Sequence, residues 1–195
     1  MKILIVLVAT FSFPSILFGL VDFNGNGVSE IWELQYGATV VDDFDSDNDG
    51  VSNQAEGIAG TDPHDPTSLL ALEHPVLDEA EVRFSWSAEA GKSYRIERWD
   101  PTINGWSEAA LILPLTAAAV QSVTFDRLDG GVFRLVSSDI DMDGDGLSAW
   151  EEVLMGTSDE SAAGVDGSGE GDFVNALRAL ESEGGVLLSN GTQLD

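Results

Sequence analysis

The middle of the chain alternates apolar and polar residues over strand lengths. Between residues 81 and 138 the alternating segments read EVRFSWSA, KSYRIERWD, QSVTFDRL and GGVFRLVSS. Because neighbouring side chains of a β-strand point to opposite faces, Val82, Phe84 and Trp86 would share one face of the first strand. The same spacing relates the pairs Tyr94 and Ile96, Val123 and Phe125, and Phe133 and Leu135. The pattern, with turn signals between the segments, predicts five or six short strands in a small antiparallel β-sandwich or barrel.

The regions on either side carry a different pattern, an acidic stretch followed by a short apolar one. It occurs three times as D-x-[DN]-x-[DN]-G-[VL]-S-x-x-x-E, in Asp22–Glu33 (loop 1), Asp45–Glu56 (loop 2) and Asp141–Glu152 (loop 3). Each copy has a further glycine four residues after its last glutamate. Three copies in register indicate an internal repeat, whereas a single one could be an acidic loop left in water.

Each repeat predicts a short helix that begins in the second half of the loop. The serine at position 8 can cap the helix, and the later glycine suits the left-handed residue that ends one. The predicted helices are Ser29–Tyr36, Ser52–Ala59 and Ser148–Met155. Helices this short are marginal alone, so we expect metal binding and folding to be coupled. The residues predicted to pack beneath the loops, with the tryptophans in the core, are Val28, Ile31, Trp32, Leu34, Val51, Leu147, Trp150, Val153 and Leu154.

The spacing of oxygen-bearing side chains is that of a calcium loop of the EF-hand type. In such loops positions 1, 3 and 5 present side-chain oxygens, position 6 is a turn glycine, position 7 offers its carbonyl and position 12 is a bidentate glutamate. The predicted ligands are Asp22, Asn24, Asn26, Val28 and Glu33 in loop 1, Asp45, Asp47, Asp49, Val51 and Glu56 in loop 2, and Asp141, Asp143, Asp145, Leu147 and Glu152 in loop 3. A set made only of oxygens favours Ca²⁺ over zinc or copper, and over Mg²⁺, which prefers a tighter octahedron.

The three loops differ in two respects that bear on cation binding. Loop 1 has asparagine at positions 3 and 5, so its affinity for calcium should be the weakest on charge count. Position 9, often a ligand through water, is Glu30, Asn53 and Ala149, so loop 3 would use a water there. A fourth stretch, Asp166–Leu177, ends in leucine where the loops have glutamate. It predicts a glycine-rich linker and a helix from about Asp172 to Glu183, with a decayed fourth site as the alternative.

The runs DSDNDGVSNQAEGIAGTDPHDPTS and DMDGDGLSAWEEVLMGTSDE resemble the bacterial form of the thrombospondin type 3 repeat. The resemblance covers about 70 residues and implies calcium binding in an extracellular or cell-surface protein. The Gly-Thr-Asp-Pro ending of that family is present at Gly60–Pro63 and departs from the pattern in the other two copies. The alternatives for Asp62 and Asp65 are therefore calcium ligation and a role in turns.

Charge narrows the classes of partner. The chain carries 35 acidic and 8 basic residues, a net charge of −27, which argues against nucleic acid and anionic membranes. Most of the basic residues lie in the strand region, namely Arg83, Lys92, Arg95, Arg98, Arg127 and Arg134. They either pair with local acids at the surface or form a docking face for the acidic repeats or an anionic polysaccharide.

The first twenty residues, MKILIVLVATFSFPSILFGL, predict a secretory signal peptide, with a retained membrane anchor as the alternative. The sequence contains no cysteine, so stability outside the cell must come from packing and metal. No catalytic set is apparent either: His64 and His74 lie in a proline-rich linker, and no serine elbow or phosphate-binding glycine loop is present. We therefore expect a protein that is not an enzyme.

These patterns predict a mixed fold in which calcium loop–short helix repeats flank a small antiparallel all-β sandwich-like domain, with a helical C-terminal tail. The expected segments are 1–20 (signal peptide), 21–71 (paired repeats), 72–138 (β-domain), 139–160 (third repeat) and 161–195 (linker, helix and tail). The expected function is that of a secreted or cell-surface (extracellular or periplasmic) structural or adhesion module, which binds calcium and another extracellular protein or polysaccharide. The alternatives are a dockerin-like protein-binding module and the accessory N-terminal region of a larger secreted enzyme.

Overall fold

The computed structural model describes residues 20–37, 44–126, 131–158, 160 and 171–184. The fold is mixed, as predicted, with short helices around two small antiparallel sheets. The predicted signal peptide, the predicted glycine-rich linker and Arg127 lie outside the described residues. Among the helices that are described, none has the length and apolar character needed to cross a membrane.

The elements follow the order that the two patterns predict, helices at the ends and strands between them. The helices are α1 (Glu30–Tyr36), α2 (Asn53–Ala59), α3 (Ala149–Met155) and α4 (Asp172–Gly184). The strands are β1 (Val76–Leu77), β2 (Glu81–Ala88), β3 (Ser93–Asp100), β4 (Gly105–Ile112), β5 (Ala119–Asp126) and β6 (Phe133–Ser138). The predicted tail helix from about Asp172 to Glu183 is confirmed by α4.

The strands form two three-stranded antiparallel sheets, in the orders β1-β2-β5 and β4-β3-β6. Both sheets contribute to one hydrophobic core, which confirms the predicted inward faces. Its fully buried members are Val82, Phe84, Trp86, Ala88, Tyr94, Ile96, Phe133 and Leu135. Val123 and Phe125 of β5 pack against this core while remaining half-buried.

The three repeat helices begin and end as the sequence predicts. The hydroxyls of Ser29, Ser52 and Ser148 accept backbone N–H groups from the first turns of their helices. Gly37, Gly60 and Gly156 end the helices with φ of 59°, 83° and 74°. Glycine adopts this left-handed conformation without the steric cost that other residues carry, which explains the repeated glycine after each helix.

The apolar residues beneath the loops form two clusters that join different repeats. Val28 and Trp32 of the first repeat pack with Trp150 of the third, and Ile58 of α2 lies against them. Both tryptophans are therefore core residues, as predicted. The prediction was wrong for Leu34 and Val153, which are 39% and 45% exposed. A helix of seven residues presents one narrow face to the core, and these two side chains point away from it.

The second cluster places α4 beside loops 1 and 3. Ala176 of α4 is fully buried together with Val21, Ile31 and Leu147, and Phe173 and Leu180 pack against the same cluster. The hydrophobic side of α4 is thus covered by the first and third repeats.

A buried lysine joins the β-domain to the repeats. The Lys92 ammonium donates to an Asp139 carboxylate oxygen at 2.8 Å and to the Ile58 carbonyl at 3.1 Å. It also lies 3.9 Å from the centre of the Trp150 ring. Because the Lys92 side chain is completely buried and Asp139 lies two residues before loop 3, Lys92 attaches β3 to repeats two and three. The alternatives for the basic residues were pairing with local acids and contact with the acidic repeats; Lys92 contacts the repeats.

Candidate metal centre

All three loops fold around the same set of backbone hydrogen bonds. In loop 2 the Asp45 carboxylate accepts the N–H of Asn48 at 2.7 Å and that of Gly50 at 3.0 Å. The Asp47 and Asp49 side chains each accept the N–H two residues further along, at 3.2 and 2.7 Å. The equivalent bonds recur in loops 1 and 3. Position 1 therefore uses both of its oxygens, and positions 3 and 5 use one oxygen each, to shape the loop, as short polar side chains do in turns.

A further repeated bond closes each loop. The backbone N–H at position 9 donates to the carbonyl of the residue that precedes the loop, at 2.8 Å in loop 1, 2.7 Å in loop 2 and 2.9 Å in loop 3. The pairs are Glu30 with Val21, Asn53 with Phe44, and Ala149 with Ile140.

The side chains at position 9 stabilise the loop backbone. Both Glu30 carboxylate oxygens accept the N–H of Phe23 at 2.9 Å, and the Asn53 Oδ1 accepts the N–H of Ser46 at 3.0 Å. In loops 1 and 2 this position therefore holds the second residue of the loop in place. Loop 3 has Ala149 at this position, whose side chain cannot accept such a hydrogen bond.

Loop 2 brings carboxylate oxygens together, and several of them accept no hydrogen bond from the described residues. One oxygen from each of Asp45, Asp47 and Asp49 lies within 4.8 Å of the others. The second oxygens of Asp47 and Asp49 and both oxygens of Glu56 are buried without a hydrogen-bond partner among the described residues. Glu56 is completely buried, although it is acidic. Buried acids of this kind are costly unless a cation or a donor compensates them.

The proton affinity of Glu56 reflects the same crowding. Burial, followed by the negative charges of Asp47, Asp49 and Asp45, raises the pKa of Glu56 to about 8. Two unit charges about 4 Å apart repel by roughly 4 kcal/mol at an effective dielectric constant of about 20. A divalent cation at this point would reverse the sign of the local field and favour the ionised carboxylate.

Loop 3 repeats this arrangement and extends it. Asp141, Asp143 and Asp145 place one oxygen each within 4.8 Å of one another. The second oxygens of Asp143 and Asp145 are buried without a hydrogen-bond partner in the described part of the chain, and Glu152 is 1% exposed. A second group of three oxygens within 4.8 Å of one another consists of Asp145, Glu152 and Asp172.

Loop 1 differs because its own asparagine side chains donate hydrogen bonds to its glutamate. The Nδ2 of Asn26 donates to Glu33 at 2.9 Å, and the Nδ2 of Asn24 donates to the other oxygen of Glu33 at 3.3 Å. Glu33 is also only half-buried. The two asparagines that lower the charge of loop 1 thus also close it with hydrogen bonds between neutral donors and a carboxylate.

The residues present in loops 2 and 3 fit a calcium ion. Calcium binds six to eight oxygens at about 2.3–2.6 Å, so two ligands of one ion lie at most about 5 Å apart. The aspartate oxygens at positions 1, 3 and 5 of both loops fall within this limit, and so do oxygens of Asp145 and Glu152 in loop 3. Ligation by the carbonyls of Val28, Val51 and Leu147 at position 7 stays a prediction.

The ending after loop 2 builds turns. The Asp62 carboxylate accepts the N–H of His64 at 2.9 Å, and Asp65 accepts the N–H and the hydroxyl of Thr67 at 2.9 and 2.7 Å. The hydrogen bonds from Thr67 lower the pKa of Asp65. These contacts favour the turn alternative for both aspartates.

Sequence reasoning missed two acidic residues near the loops. Asp172 belongs to α4, and the signal that could have found it is the missing oxygen at position 9 of loop 3 beside a downstream acidic stretch. Glu151, at position 11 of loop 3, is fully buried and accepts the N–H of Val21 at 2.8 Å and the Ser29 hydroxyl at 2.5 Å. It links α3 to the first repeat and also completes the capping box of Ser148.

Comparisons with known proteins bear on the second repeat. The family model of the bacterial TSP3 repeat matches residues 45–66, which comprise loop 2, α2 and the Gly-Thr-Asp-Pro ending. Searches of curated proteins and of solved structures give no match to this chain. TSP3 repeats are calcium-binding extracellular modules and are not a catalytic family. Residues 45–66 therefore match the bacterial TSP3 repeat, which supports the resemblance seen in the sequence.

Proposed function

We propose that this chain is a secreted or cell-surface structural module, not an enzyme, whose acidic loops bind Ca²⁺ and thereby stabilise a packed unit of repeats and β-domain. The observation that carries the proposal is the burial of Glu56 and of the second oxygens of Asp47 and Asp49, for which the described part of the chain provides no hydrogen-bond donor. A loop selected only for solubility would leave such groups in water. A bound calcium ion would supply the positive charge that compensates these buried carboxylate oxygens.

The proposed ligands are the fifteen residues that the loop spacing predicts, and the structure supports loops 2 and 3 more strongly than loop 1. In loops 2 and 3 the remaining aspartate oxygens are buried and accept no hydrogen bond from the described residues. In loop 1 the asparagine amides already donate to Glu33. We therefore expect two binding events of higher affinity and a third that is weak.

The structural role follows from what the loops hold together. Gln54 of α2 donates from its Nε2 to the carbonyl of Asn26 in loop 1 at 2.7 Å, and the Trp32 Nε1 donates to the carbonyl of Thr61 at 3.0 Å. Lys92 then attaches the β-domain to repeats two and three. Calcium would fix these contacts and present the β-domain to another extracellular protein or a polysaccharide.

Isothermal titration calorimetry of the purified full-length chain with CaCl₂ tests the proposal. We expect at least two binding events, which Mg²⁺ at the same concentration does not reproduce, because the smaller ion demands a tighter octahedron. Absence of heat at millimolar Ca²⁺, or equal binding of Mg²⁺, would reject a calcium module.

A further inference from the structure

Asp172 is a buried acid that lies outside the three loops. It is the first residue of α4 and is completely buried. Neither of its carboxylate oxygens has a hydrogen-bond partner among the described residues. A carboxylate at the start of a helix usually accepts N–H groups of the first turn, whereas here the N–H groups of Val174 and Asn175 donate to the Gly171 carbonyl. The Asp172 carboxylate therefore serves no capping role that would explain its burial.

The Asp172 side chain points at the third loop. One of its oxygens lies within 4.8 Å of an oxygen of Asp145 and of one of Glu152, the residues at positions 5 and 12 of loop 3. Oxygens that ligate one calcium ion lie at this separation or less. Glu152 and Asp172 are buried and Asp145 is half-buried, so three acids this close together would repel one another strongly without a cation.

Loop 3 has no side-chain oxygen at position 9, a position that often supplies a ligand through water in calcium loops. Its position 9 is Ala149, which carries no oxygen on its side chain, and Ala149 is 1% exposed. Loops 1 and 2 carry Glu30 and Asn53 at this position. A carboxylate from α4 would add a charged ligand to the one loop that has an apolar residue there.

Packing holds α4 in the position that this ligation requires. A Cβ added at Gly146 of loop 3 would lie 3.3 Å from the Phe173 ring, so this glycine lets the helix approach the loop closely. Ala176 is buried against Leu147 in the same cluster. The hydrophobic contact and the carboxylate therefore bring the same end of α4 to the same loop.

We propose that Asp172 is a ligand of the cation in loop 3, so that calcium binding there fastens the C-terminal helix to the repeats. This inference rests on the proposed function, since it requires that loop 3 binds calcium. It makes the third site different in kind from the second, whose predicted side-chain ligands all come from one continuous stretch of twelve residues.

The variant Asp172→Asn tests the inference because it keeps the shape of the side chain and removes its charge. In calorimetric titrations of the full-length chain with Ca²⁺, we expect one binding event to weaken at least tenfold and the event of loop 2 to be unchanged. Glu56→Gln assigns the loop 2 event independently. Glu181→Gln, which removes an exposed charge from the same helix, is the matched control and should leave both events unaltered.

Hydrogen exchange and chemical unfolding separate a ligand from a purely structural residue. With calcium, Asp172→Asn should speed amide exchange in α4 and lower stability, whereas in chelator it should leave stability equal or higher because it removes a repelling charge. A loss of stability that is the same in calcium and in chelator, or calcium affinities within twofold of those of the unchanged chain, would overturn the inference. If the unchanged chain binds no calcium, the proposed function fails and this inference fails with it.

Discussion

At the scale of single residues, the three loops share one backbone conformation. They differ in whether the carboxylate oxygens inside the loop accept hydrogen bonds. Glu33 of loop 1 accepts hydrogen bonds from two asparagine amides, whereas Glu56 of loop 2 is buried with no donor among the residues that the structure describes. The side chains at positions 3 and 5 therefore decide whether a loop closes with its own hydrogen bonds or needs a cation.

Glu56→Gln should remove the binding event of loop 2. The variant replaces the bidentate charged ligand by a neutral amide, and the affinity of calcium loops depends on ligand charge. We expect a loss of at least tenfold in the calcium affinity of that event, about 1.4 kcal/mol or more, measured by calorimetry. Glu79→Gln, an exposed glutamate far along the chain, is the control. Unchanged affinity in Glu56→Gln would show that calcium binds elsewhere.

The paired variant Asn24→Asp/Asn26→Asp should convert loop 1 into a stronger site. It replaces two amide donors by carboxylates that repel Glu33, so stability in chelator should fall and calcium affinity should rise at least tenfold. Calorimetry and urea unfolding measure the two effects. If stability in chelator rises instead, the amide hydrogen bonds to Glu33 do not close the loop.

At the scale of elements, the local patterns of the sequence predict the four helices and the strands β2, β3, β5 and β6, whereas β1 and β4 lie outside the alternating segments. The caps Ser29, Ser52 and Ser148 and the period-two core residues of β2 all lie where the spacing places them. These features depend on neighbours within a few residues, which the sequence order itself contains. The contacts of Glu151 with the first repeat and of Asp172 with loop 3 join residues far apart in sequence. No periodicity encodes such contacts, so they emerged only from the structure.

Glu151→Ala should loosen the contact between the first and third repeats. The substitution leaves the Val21 N–H and the Ser29 hydroxyl buried without their acceptor. Each unsatisfied buried donor costs about 1–3 kcal/mol, so we expect a loss of about 2–4 kcal/mol in the free energy of unfolding by urea. Glu160→Ala, an exposed glutamate, should change it by less than about 0.5 kcal/mol. Equal effects of the two variants would contradict this role of Glu151.

At the scale of the whole molecule, the repeats and the β-domain are joined by buried contacts that carry charge. The chain has a net charge of −27, yet one of its few lysines is fully buried between Asp139, Ile58 and Trp150. This placement neutralises acidity at the boundary between the two regions. Stability of the β-domain and calcium binding by the adjacent loops should therefore be coupled.

Lys92→Met should lower the free energy of unfolding by removing the buried contact between the β-domain and the repeats. It leaves Asp139 without its ammonium partner, and the loss of one member of a buried ion pair costs about 3–5 kcal/mol. The double variant Lys92→Met/Asp139→Asn should recover part of this loss, and Arg83→Met, an exposed residue of β2, should be nearly neutral. Urea unfolding measures all three. A double variant no more stable than Lys92→Met would show that the ion pair is not the source of the effect.

Thermal unfolding of the full-length chain in millimolar Ca²⁺ and in chelator, with Mg²⁺ as the control, measures whether calcium stabilises this fold. Each site filled at a hundredfold excess over its Kd adds about 2.7 kcal/mol, and 1 kcal/mol raises Tm by about 2–4 °C in a chain of this size. We predict that calcium raises Tm by about 10 °C or more through two sites and that Mg²⁺ does not. Identical melting curves in calcium and in chelator would show that calcium does not stabilise this fold.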